Sequence, residues 1–585
     1  MFVHTLLKAV FYLRSRVNLK GRAGIYFFAV LSGILAAFVA VAFQACTAGI
    51  LTLFTGVEGN DAVYSLDHAA PWRRVFSLVL GGVIAGIILL FTSKKLRERA
   101  TPYMEAVSIG NGYIPVRSNL LRSLAAIVTI GSGASIGREG PLVQTATVFA
   151  SIFGRRAKFS TLRLRLFIAC AASGAMSAVF HTPLAGGLFV SEIVVGTMSI
   201  DILAPLLVSS CSSYLTLTVI GSSEPLYEMS RAYLSSGLST ACFAVLLGVV
   251  SSLLAKAWLV WLSKSRSLLN RNKNLLPLRL AIAGLAVGLI TIWYPEIAGN
   301  GSHIIRGVVS LNFSLEFVSW LFVLKVLSVG LFFAMGAVGG VLTPSLTIGG
   351  VSGFIFAHVL IACGVPLSQE EIIGYSLLGM AAFFTTAAAA PMTSLVLVVE
   401  FTAAGKMIFP LIIGVLVSRA VAKIFSAKSM YEAEAGMGLK TAFDRPLKDV
   451  RIKDIFRKSS DTVFATTLLR DIARIFIRNP EFAVYVVSRS NKYLGSILQR
   501  DVYNFMKSDS LSQKVIADDI LRTDLPVLTP EMPLIDGIKV FTDNDAFDTL
   551  PIVDSRGNFY GVVNRTDIFM GFNEIARRRQ WREAR

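Results

Sequence analysis

The sequence is poor in cysteine and in charged residues. Its 585 residues include five cysteines, each standing alone in an apolar segment: Cys46, Cys170, Cys211, Cys242 and Cys363. Without a C-x-x-C pair, this spacing indicates neither a disulfide framework nor a zinc site. Charged residues make up 16% of the chain, whereas hydrophobic residues make up 54%. The composition is therefore typical of a protein with many membrane-spanning helices.

The positive charge of the chain is placed in a way that argues against a nucleic-acid partner. The net charge is +19, but the basic residues cluster in short loops between apolar segments, as the positive-inside rule describes. We interpret the basic segment 1–23 as amphipathic and cytoplasmic. The loop 56–70 carries three acidic residues and no lysine or arginine, so we expect it outside. No cleavable signal segment is evident.

An arginine and a glutamate lie side by side in the segment Gly137–Arg138–Glu139–Gly140–Pro141 of this apolar chain. An ionisable group at membrane depth is unfavourable, so it is a hypothesis of function by default. The glycines and Pro141 predict a loop that opens into a helix N-terminus, where backbone N–H groups and the helix dipole attract anions. The Glu139 carboxylate would compete with a diffusible anion there. A packing turn with a buried ion pair is the alternative.

The same spacing recurs about two hundred residues later. Gly340–Pro344 repeats the G-x-x-x-P pattern of Gly137–Pro141, and the proline and glutamate of Pro183–Glu192 stand nine apart like those of Pro391–Glu400. Matching order and offset predict an internal repeat. Glycine- and proline-broken apolar segments at matching positions indicate a transport site between the two halves.

The fold class follows from this repeat. We predict an all-α polytopic membrane domain over residues 24–435, with halves at about 24–220 and 232–430. The alternation of basic and acidic loops predicts that the first half begins on the cytoplasmic side and the second half on the outer side, so the repeat is inverted. Segments broken by glycine and proline are expected to be half-helices that meet near the bilayer midplane.

The C-terminal part has a different composition and its own repeat. Strands are predicted at 482–487 and 549–554. The segments 493–502 and 559–568 that follow them are parallel in sequence, and each contains a short β-rich run, a turn and an aspartate that opens a helix. We therefore predict a linker and two soluble α/β modules, with the bounds 436–446, 447–510 and 511–575.

Several motifs are similar to those of the CLC family of chloride channels and chloride/proton antiporters. Gly137–Pro141 resembles its most specific motif, Gly340–Pro344 its G-x-F-x-P motif, and Tyr431 falls where the family places a pore tyrosine. The resemblance covers about residues 24–435, and Tyr103–Ala106 is similar to the bacterial ClcB-like branch. The C-terminal modules resemble a tandem pair of CBS domains, which often sense adenine nucleotides.

This resemblance implies transport of chloride or a related anion by a homodimer in a bacterial inner membrane, with both termini cytoplasmic. Glu139 would be the gate, and its protonation would admit the anion and make transport pH-sensitive. The implied anion-binding residues are Gly137, Arg138, Gly140, Gly340, Val341, Leu342, Thr343 and Tyr431. For Arg138 a structural ion pair is the alternative, and for Tyr431 a place in the interfacial aromatic belt.

The implied ligand of the CBS pair is ATP, AMP or another adenine nucleotide. The residues that would hold it are Thr566, Asp567 and Asp501, and the alternative for them is a helix cap in a purely structural module. No nucleophile–base pair and no metal cluster is evident in the sequence, so we expect neither an enzyme nor a metal site. The expected partners are the transported anion, membrane lipid and a second copy of the chain in a homodimer, and we expect no nucleic acid.

Three departures from the family pattern bear on the mechanism. The window Glu98–Pro102 lacks the usual coordinating serine, which leaves anion selectivity open, and Leu342 replaces a phenylalanine whose backbone N–H is what binds. Ile193 stands where antiporters of the family usually carry a proton-relay glutamate. We therefore expect channel-like conduction. A proton/chloride antiporter and a membrane nucleotide sensor with a degenerate transport site are the alternatives.

Two further glutamates occupy matching repeat positions. Glu192 and Glu400 lie within apolar segments at the same distance from Pro183 and Pro391. Their symmetry favours a structural role in capping neighbouring backbone, and direct participation in transport is the alternative.

Overall fold

The fold is taken from a computed structural model of the chain. The structure describes residues 22–59, 61–95, 102–108, 112–157, 159, 161–196, 198–221, 232–235, 237–268, 275–402, 407–427, 429–431, 451–454, 462–478, 483–498, 501–502, 515–543 and 549–564. The chain divides into two compact units, Met1–Glu434 and Ala435–Arg585.

The described part of the first unit consists of helices joined by loops. Its α-helices are α1 (Arg22–Thr55), α2 (Ala62–Asp67), α3 (Pro71–Lys95), α4 (Tyr103–Ser108), α5 (Val116–Gly131), α6 (Glu139–Arg156), α7 (Thr161–Phe180), α8 (Pro183–Phe189), α9 (Ile200–Ile220), α10 (Leu238–Leu268), α11 (Leu276–Ile290), α12 (Ser302–Val309), α13 (Leu315–Met335), α14 (Leu342–Ala362), α15 (Gln369–Ala388), α16 (Pro391–Thr402) and α17 (Ile408–Ile424). A π-helical turn, Val190–Val195, extends α8, and a 3₁₀ turn, Pro295–Ile297, follows α11.

Among the described residues, eight helices are long and apolar enough to span a membrane. They are α1, α3, α7, α9, α10, α13, α14 and α15. The apolar helices α8, α11 and α16 are shorter. This distribution confirms the prediction of a polytopic helical membrane domain that mixes full spans with half-helices.

Small residues let the helices of this unit approach closely. Gly349 of α14 and Gly379 of α15 face each other, and a Cβ atom at Gly349 would lie 2.9 Å from the Gly379 carbonyl oxygen. A Cβ atom at Gly379 would lie 2.6 Å from the Gly349 carbonyl oxygen. Close backbone packing of this kind replaces the hydrophobic effect as the source of helix association in lipid.

The internal repeat is visible in the helices. α7, α8 and α9 precede α15, α16 and α17 by the same number of residues at their starts, and α1 packs on α7 and α9 as α10 packs on α15 and α17. Each of α7 and α15 is followed by a residue in the left-handed conformation, His181 with φ 56° and Ala389 with φ 60°. The two proline-led short helices therefore begin from the same backbone geometry.

The described part of the second unit contains two hairpins. They are formed by β2 (Ala483–Val487) with β3 (Tyr493–Leu498), and by β4 (Thr549–Val553) with β5 (Phe559–Asn564), both antiparallel. A further strand, β1 (Thr462–Phe464), lies parallel to β2, and the helices are α18 (Leu469–Arg478) and α19 (Leu534–Asp543). All four strands of the predicted repeat are confirmed.

The two hairpins of this unit are joined. The backbone N–H of Tyr493 donates to Gly557 O at 3.0 Å, and that of Phe559 donates to Asn491 O at 2.9 Å. The rings of Tyr485 and Phe559 stack with centroids 5.4 Å apart. The modules therefore form one paired α/β unit.

Candidate functional site

Two helix N-termini from the two halves meet at the predicted motifs. α6 begins at Glu139 and α14 begins at Leu342, each directly after its glycine-containing loop. The loops are joined by a short antiparallel bridge, in which Gly137 N donates to Gly340 O at 2.8 Å and Gly340 N donates to Gly137 O at 2.7 Å. The loop-to-helix geometry that the sequence predicted for both motifs is confirmed.

The Glu139 side chain lies inside this junction and is 2% exposed. Its Oε1 accepts a hydrogen bond from the Thr343 hydroxyl, and its Oε2 accepts none from any described residue. A Cβ atom at Gly137 or at Gly340 would collide with Oε2, so both positions have to be glycine for the carboxylate to lie there. The carboxylate of one half is thus held by the motif of the other.

The electrostatic setting favours an anion at this place. Arg138 is the N-cap of α6 and Val341 the N-cap of α14, and neither caps its helix with a side-chain hydrogen bond. The first backbone N–H groups and the positive ends of two helix dipoles therefore lie at the junction. A carboxylate there, or an anion in its place, gains from both.

A narrow apolar crevice continues from this junction. It is lined by side chains of both halves: Met176, Phe180, Thr182, Ala185, Gly186, Phe189, Leu342, Phe384, Thr393 and Leu397. Tyr431 packs edge-on against Phe189, with ring centroids 5.7 Å apart. Of the predicted site residues, Leu342 lines this crevice, and Tyr431 contacts one of its lining residues, Phe189.

The two glutamates at matching repeat positions cap each other's helices. Glu192 accepts hydrogen bonds from Met392 N at 3.2 Å and from Thr393 N at 2.8 Å, at the start of α16. Glu400 accepts from the backbone N–H groups at the start of α8, at 2.8 Å and 2.7 Å. The predicted capping role is confirmed, and all four carboxylate oxygens are engaged.

Two features of the site were not predicted from the sequence. The hydrogen bond between Thr343 and Glu139 crosses the repeat, so no local pattern announces it. The second feature is Lys325 of α13, which is 1% exposed. This residue could have been identified from the sequence, because it is a lone lysine within an otherwise apolar span. Among the described residues, no group of three or more His, Cys, Asp or Glu side chains could hold a metal ion.

The candidate nucleotide residues are only partly described. Asp501 lies 3.6 Å from Arg522, measured from Oδ2 to a guanidinium nitrogen, and Arg522 also pairs with Asp524 at 2.7 Å. Thr566 and Asp567 lie outside the described residues, as do Glu98 to Thr101 of the window that lacks the family serine.

Comparison with known proteins agrees with this geometry. The profile of the voltage gated chloride channel family matches residues 81–423, and that of the CBS domain matches 452–508 and 517–573. A putative chloride channel protein, ClcB-like, from Ralstonia nicotianae is 30% identical over 68% of this chain and 94% of its own. The voltage-gated ClC-type chloride channel ClcB of Salmonella typhimurium is 31% identical over 70% and 98%.

Solved structures show the same fold. A slow cyanobacterial Cl⁻/H⁺ antiporter aligns with 72% of this chain and 99% of its own at 18% identity and a TM-score of 0.62. A eukaryotic CLC transporter aligns with 93% and 97% at 17% identity and a TM-score of 0.63. The helical unit therefore has the fold of a CLC-type transport domain. The chain belongs to the voltage-gated chloride channel (CLC) family and carries a C-terminal CBS pair.

Proposed function

We propose that this protein moves chloride or a related anion across a membrane, and that Glu139 gates the path. The observation that carries the proposal is the position of the Glu139 carboxylate, which lies between Gly137 and Gly340 at the N-termini of α6 and α14. A negative charge held where two helix dipoles converge marks a place that an anion would also occupy.

Gating follows from competition for that place. While Glu139 is ionised, its carboxylate fills the junction and accepts from the Thr343 hydroxyl. Protonation removes the charge that the helix N-termini favour, so the side chain leaves more readily and a diffusible anion takes its position. Backbone N–H groups of the two helices and the Thr343 hydroxyl would then bind the anion, with Gly137, Gly140 and Gly340 leaving it room.

The crevice supplies the continuation of the path. Leu342 lies at its start, and Phe189, which packs on Tyr431, lies along it. In this proposal Leu342 and Val341 contribute backbone N–H groups, Arg138 contributes positive potential, and the Tyr431 hydroxyl donates to an anion further along.

Conduction is proposed to be channel-like, without proton exchange. Proton transfer from Glu139 to the other solution needs a titratable group inward of it, and Ile193 has none. Glu192 is next in the chain, but both of its carboxylate oxygens accept hydrogen bonds from the start of α16. A carboxylate held in this way is a structural cap.

The C-terminal CBS pair is proposed to bind an adenine nucleotide and to regulate transport. Support comes from the family match and from the joined hairpins of the two modules. Thr566 and Asp567 would hold the nucleotide in the second module and Asp501 in the first. We further propose a homodimer in a bacterial inner membrane with both termini cytoplasmic, in keeping with the basic loops of the sequence.

Reconstitution tests the proposed function. Purified protein in liposomes should release chloride when a potassium ionophore balances the charge, and an imposed proton gradient should not drive that release. Protein-free liposomes and liposomes with a heat-inactivated sample give the background. Absence of flux above this background over a range of pH would overturn the transport proposal and favour the nucleotide-sensor alternative.

A further inference from the structure

Lys325 is a buried basic residue that the proposed gating does not use. It lies on α13 and is 1% exposed. Its Nζ donates to Ile297 O at 2.9 Å and to Gly299 O at 2.8 Å. Both acceptors are neutral carbonyls, and none of the acidic side chains that the structure describes forms an ion pair with Nζ.

The burial of this ammonium calls for a physical reason. An unpaired charge at membrane depth is unfavourable, and such residues mark function by default. A lysine that only filled space could be replaced by leucine or methionine without the desolvation cost. The hydrogen bonds show that Nζ holds two backbone carbonyls of the segment after α11.

That loop leads to the turn before Glu139. Gly299, whose carbonyl binds Lys325, donates its own N–H to Gly133 O at 3.1 Å. Gly133 has φ 94°, and a Cβ atom there would lie 2.6 Å from a methyl carbon of Leu66, so the turn has little freedom. Six residues further on stands Glu139.

The other half of the site is also connected to Lys325. α13 ends at Met335 and leads through residues 336–339 to Gly340, the partner of Gly137. The side chain of Ile136, which is 0% exposed, lies against Gly339, where a Cβ atom would be 2.7 Å from its Cδ1. Lys325 therefore connects α13, which leads to the loop at Gly340, with the segment at Gly299 that supports the turn before Glu139.

The internal repeat gives a second observation about the position of Lys325. Lys325 stands seventeen residues before Leu342, the start of α14, and Arg122 stands seventeen residues before Glu139, the start of α6. Each half thus places one basic residue at the same point of the helix that precedes its motif. Arg122 is exposed whereas Lys325 is buried, so only the second half uses its basic residue as an internal support.

We propose that Lys325 is a positioning residue for Glu139: its ammonium holds the loop at Ile297 and Gly299 against the Gly133 turn, and so fixes where the Glu139 carboxylate docks. The inference rests on the proposed gating by Glu139. Lys325 acts through this support and does not touch the anion.

Other charged groups near this loop bear on any pH effect. Glu296 precedes Ile297, and its charge interacts with His303, Asp67 and Arg74. Arg138 is the charged neighbour of Glu139 in the chain. Substitutions at Lys325 leave all five side chains in place, so a change that depends on Glu139 can be assigned to its support.

The test compares Lys325→Met in the wild-type and in the Glu139→Gln background, with chloride flux from liposomes measured between pH 4 and 8. We expect K325M to move the pH of half-maximal flux upward by about one unit, because a loosely docked carboxylate holds its charge less well. In E139Q the same change should alter flux by less than about twofold, since no carboxylate remains to be positioned. Lys325→Arg should resemble the wild type.

The control is a lysine that lies outside this support. Lys256→Met removes a lysine of α10 whose Nζ lies 5.0 Å from the centre of the Phe425 ring, and it should leave the pH profile unchanged. Lys325→Leu, which also lacks a donor, replaces K325M if that variant does not assemble. An unshifted pH profile in K325M or K325L, or an equal effect in the E139Q background, overturns the proposal without affecting the assignment of Glu139 as the gate. If E139Q itself behaves as wild type, Glu139 is not the gate, and the proposed role of Lys325 is rejected as well.

Discussion

Gly137 and Gly340 exchange two backbone hydrogen bonds, at 2.8 Å and 2.7 Å, although they lie in different halves of an internal repeat. The bridge holds two helix N-termini against each other and leaves room between them for one carboxylate, that of Glu139. Backbone pairing of this kind has no side chains that could shift or titrate. We therefore expect gating to move the Glu139 side chain, while the bridge between Gly137 and Gly340 stays in place.

The first prediction concerns that side chain. Glu139→Gln mimics the protonated carboxyl and should raise chloride flux at neutral pH, because an uncharged group gains little from the two helix dipoles. The flux should also lose its dependence on pH between about 4 and 8, because the glutamine amide does not titrate. Liposome flux at several pH values measures both. Unchanged flux together with an unchanged pH response would remove Glu139 from the mechanism.

The second prediction concerns Thr343, whose hydroxyl donates to Glu139 Oε1. Thr343→Val keeps the shape and removes the donor, so the ionised carboxylate is bound less firmly. Flux at neutral pH should rise by up to about tenfold, the size expected for one hydrogen bond to a charged acceptor.

The control for this substitution is Thr347→Val. Thr347 is equally buried on the same helix, but its hydroxyl donates to Thr343 O at 3.0 Å and not to Glu139. Its replacement should leave the flux near the wild-type value. An increase in flux with T343V that persists in the E139Q background would contradict the assignment, because no carboxylate remains there for the Thr343 hydroxyl to hold.

The third prediction concerns the reciprocal caps. Replacing Glu400 by alanine leaves two backbone N–H groups at the start of α8 without their acceptor, and Glu192→Ala does the same at α16. Each change should lower stability by about 1–3 kcal/mol, seen as a lower temperature of unfolding in detergent. Glu316→Ala, on the exposed first turn of α13, is the matched control. Equal stability of E400A and E316A would contradict the capping role.

The sequence predicted the frame of the site better than its contacts. The spacing of Gly137–Pro141 and Gly340–Pro344 was enough to place two helix N-termini, because proline and glycine have strong local preferences. Which groups meet there depends on packing between residues far apart in the chain. The bond from Thr343 to Glu139 and the bonds from Lys325 to the loop at Gly299 are of this kind, so no periodicity encodes them.

The fourth prediction concerns the C-terminal modules. If they bind adenine nucleotides, the purified full-length protein should bind ATP or AMP at micromolar to millimolar concentration in calorimetry. Asp567→Ala should weaken that binding by about tenfold or more, as expected for loss of a hydrogen bond to a ligand hydroxyl. Asp518→Ala, at an exposed position of the same module, should have no effect. No detectable heat at several millimolar nucleotide would leave the modules a structural role.

The last prediction concerns coupling to protons. With Ile193 in place of a titratable group and with Glu192 fixed as a cap of α16, no carboxylate is available inward of Glu139 in this part of the path. A water wire past Ile193 would have to form along an apolar wall. The reversal potential should therefore equal the chloride equilibrium potential and should not move when a pH gradient is imposed.

The informative comparison is Ile193→Glu, which restores a carboxylate at this position. If the missing group is what prevents exchange, I193E should acquire a reversal potential that shifts with the pH gradient, whereas Ile193→Gln, of similar size but without a proton to release, should not. A wild-type protein whose reversal potential already follows the pH gradient, or that moves protons uphill when a chloride gradient is imposed, would be an antiporter. In that case protons reach Glu139 by a route that avoids Ile193, and the channel-like proposal is wrong.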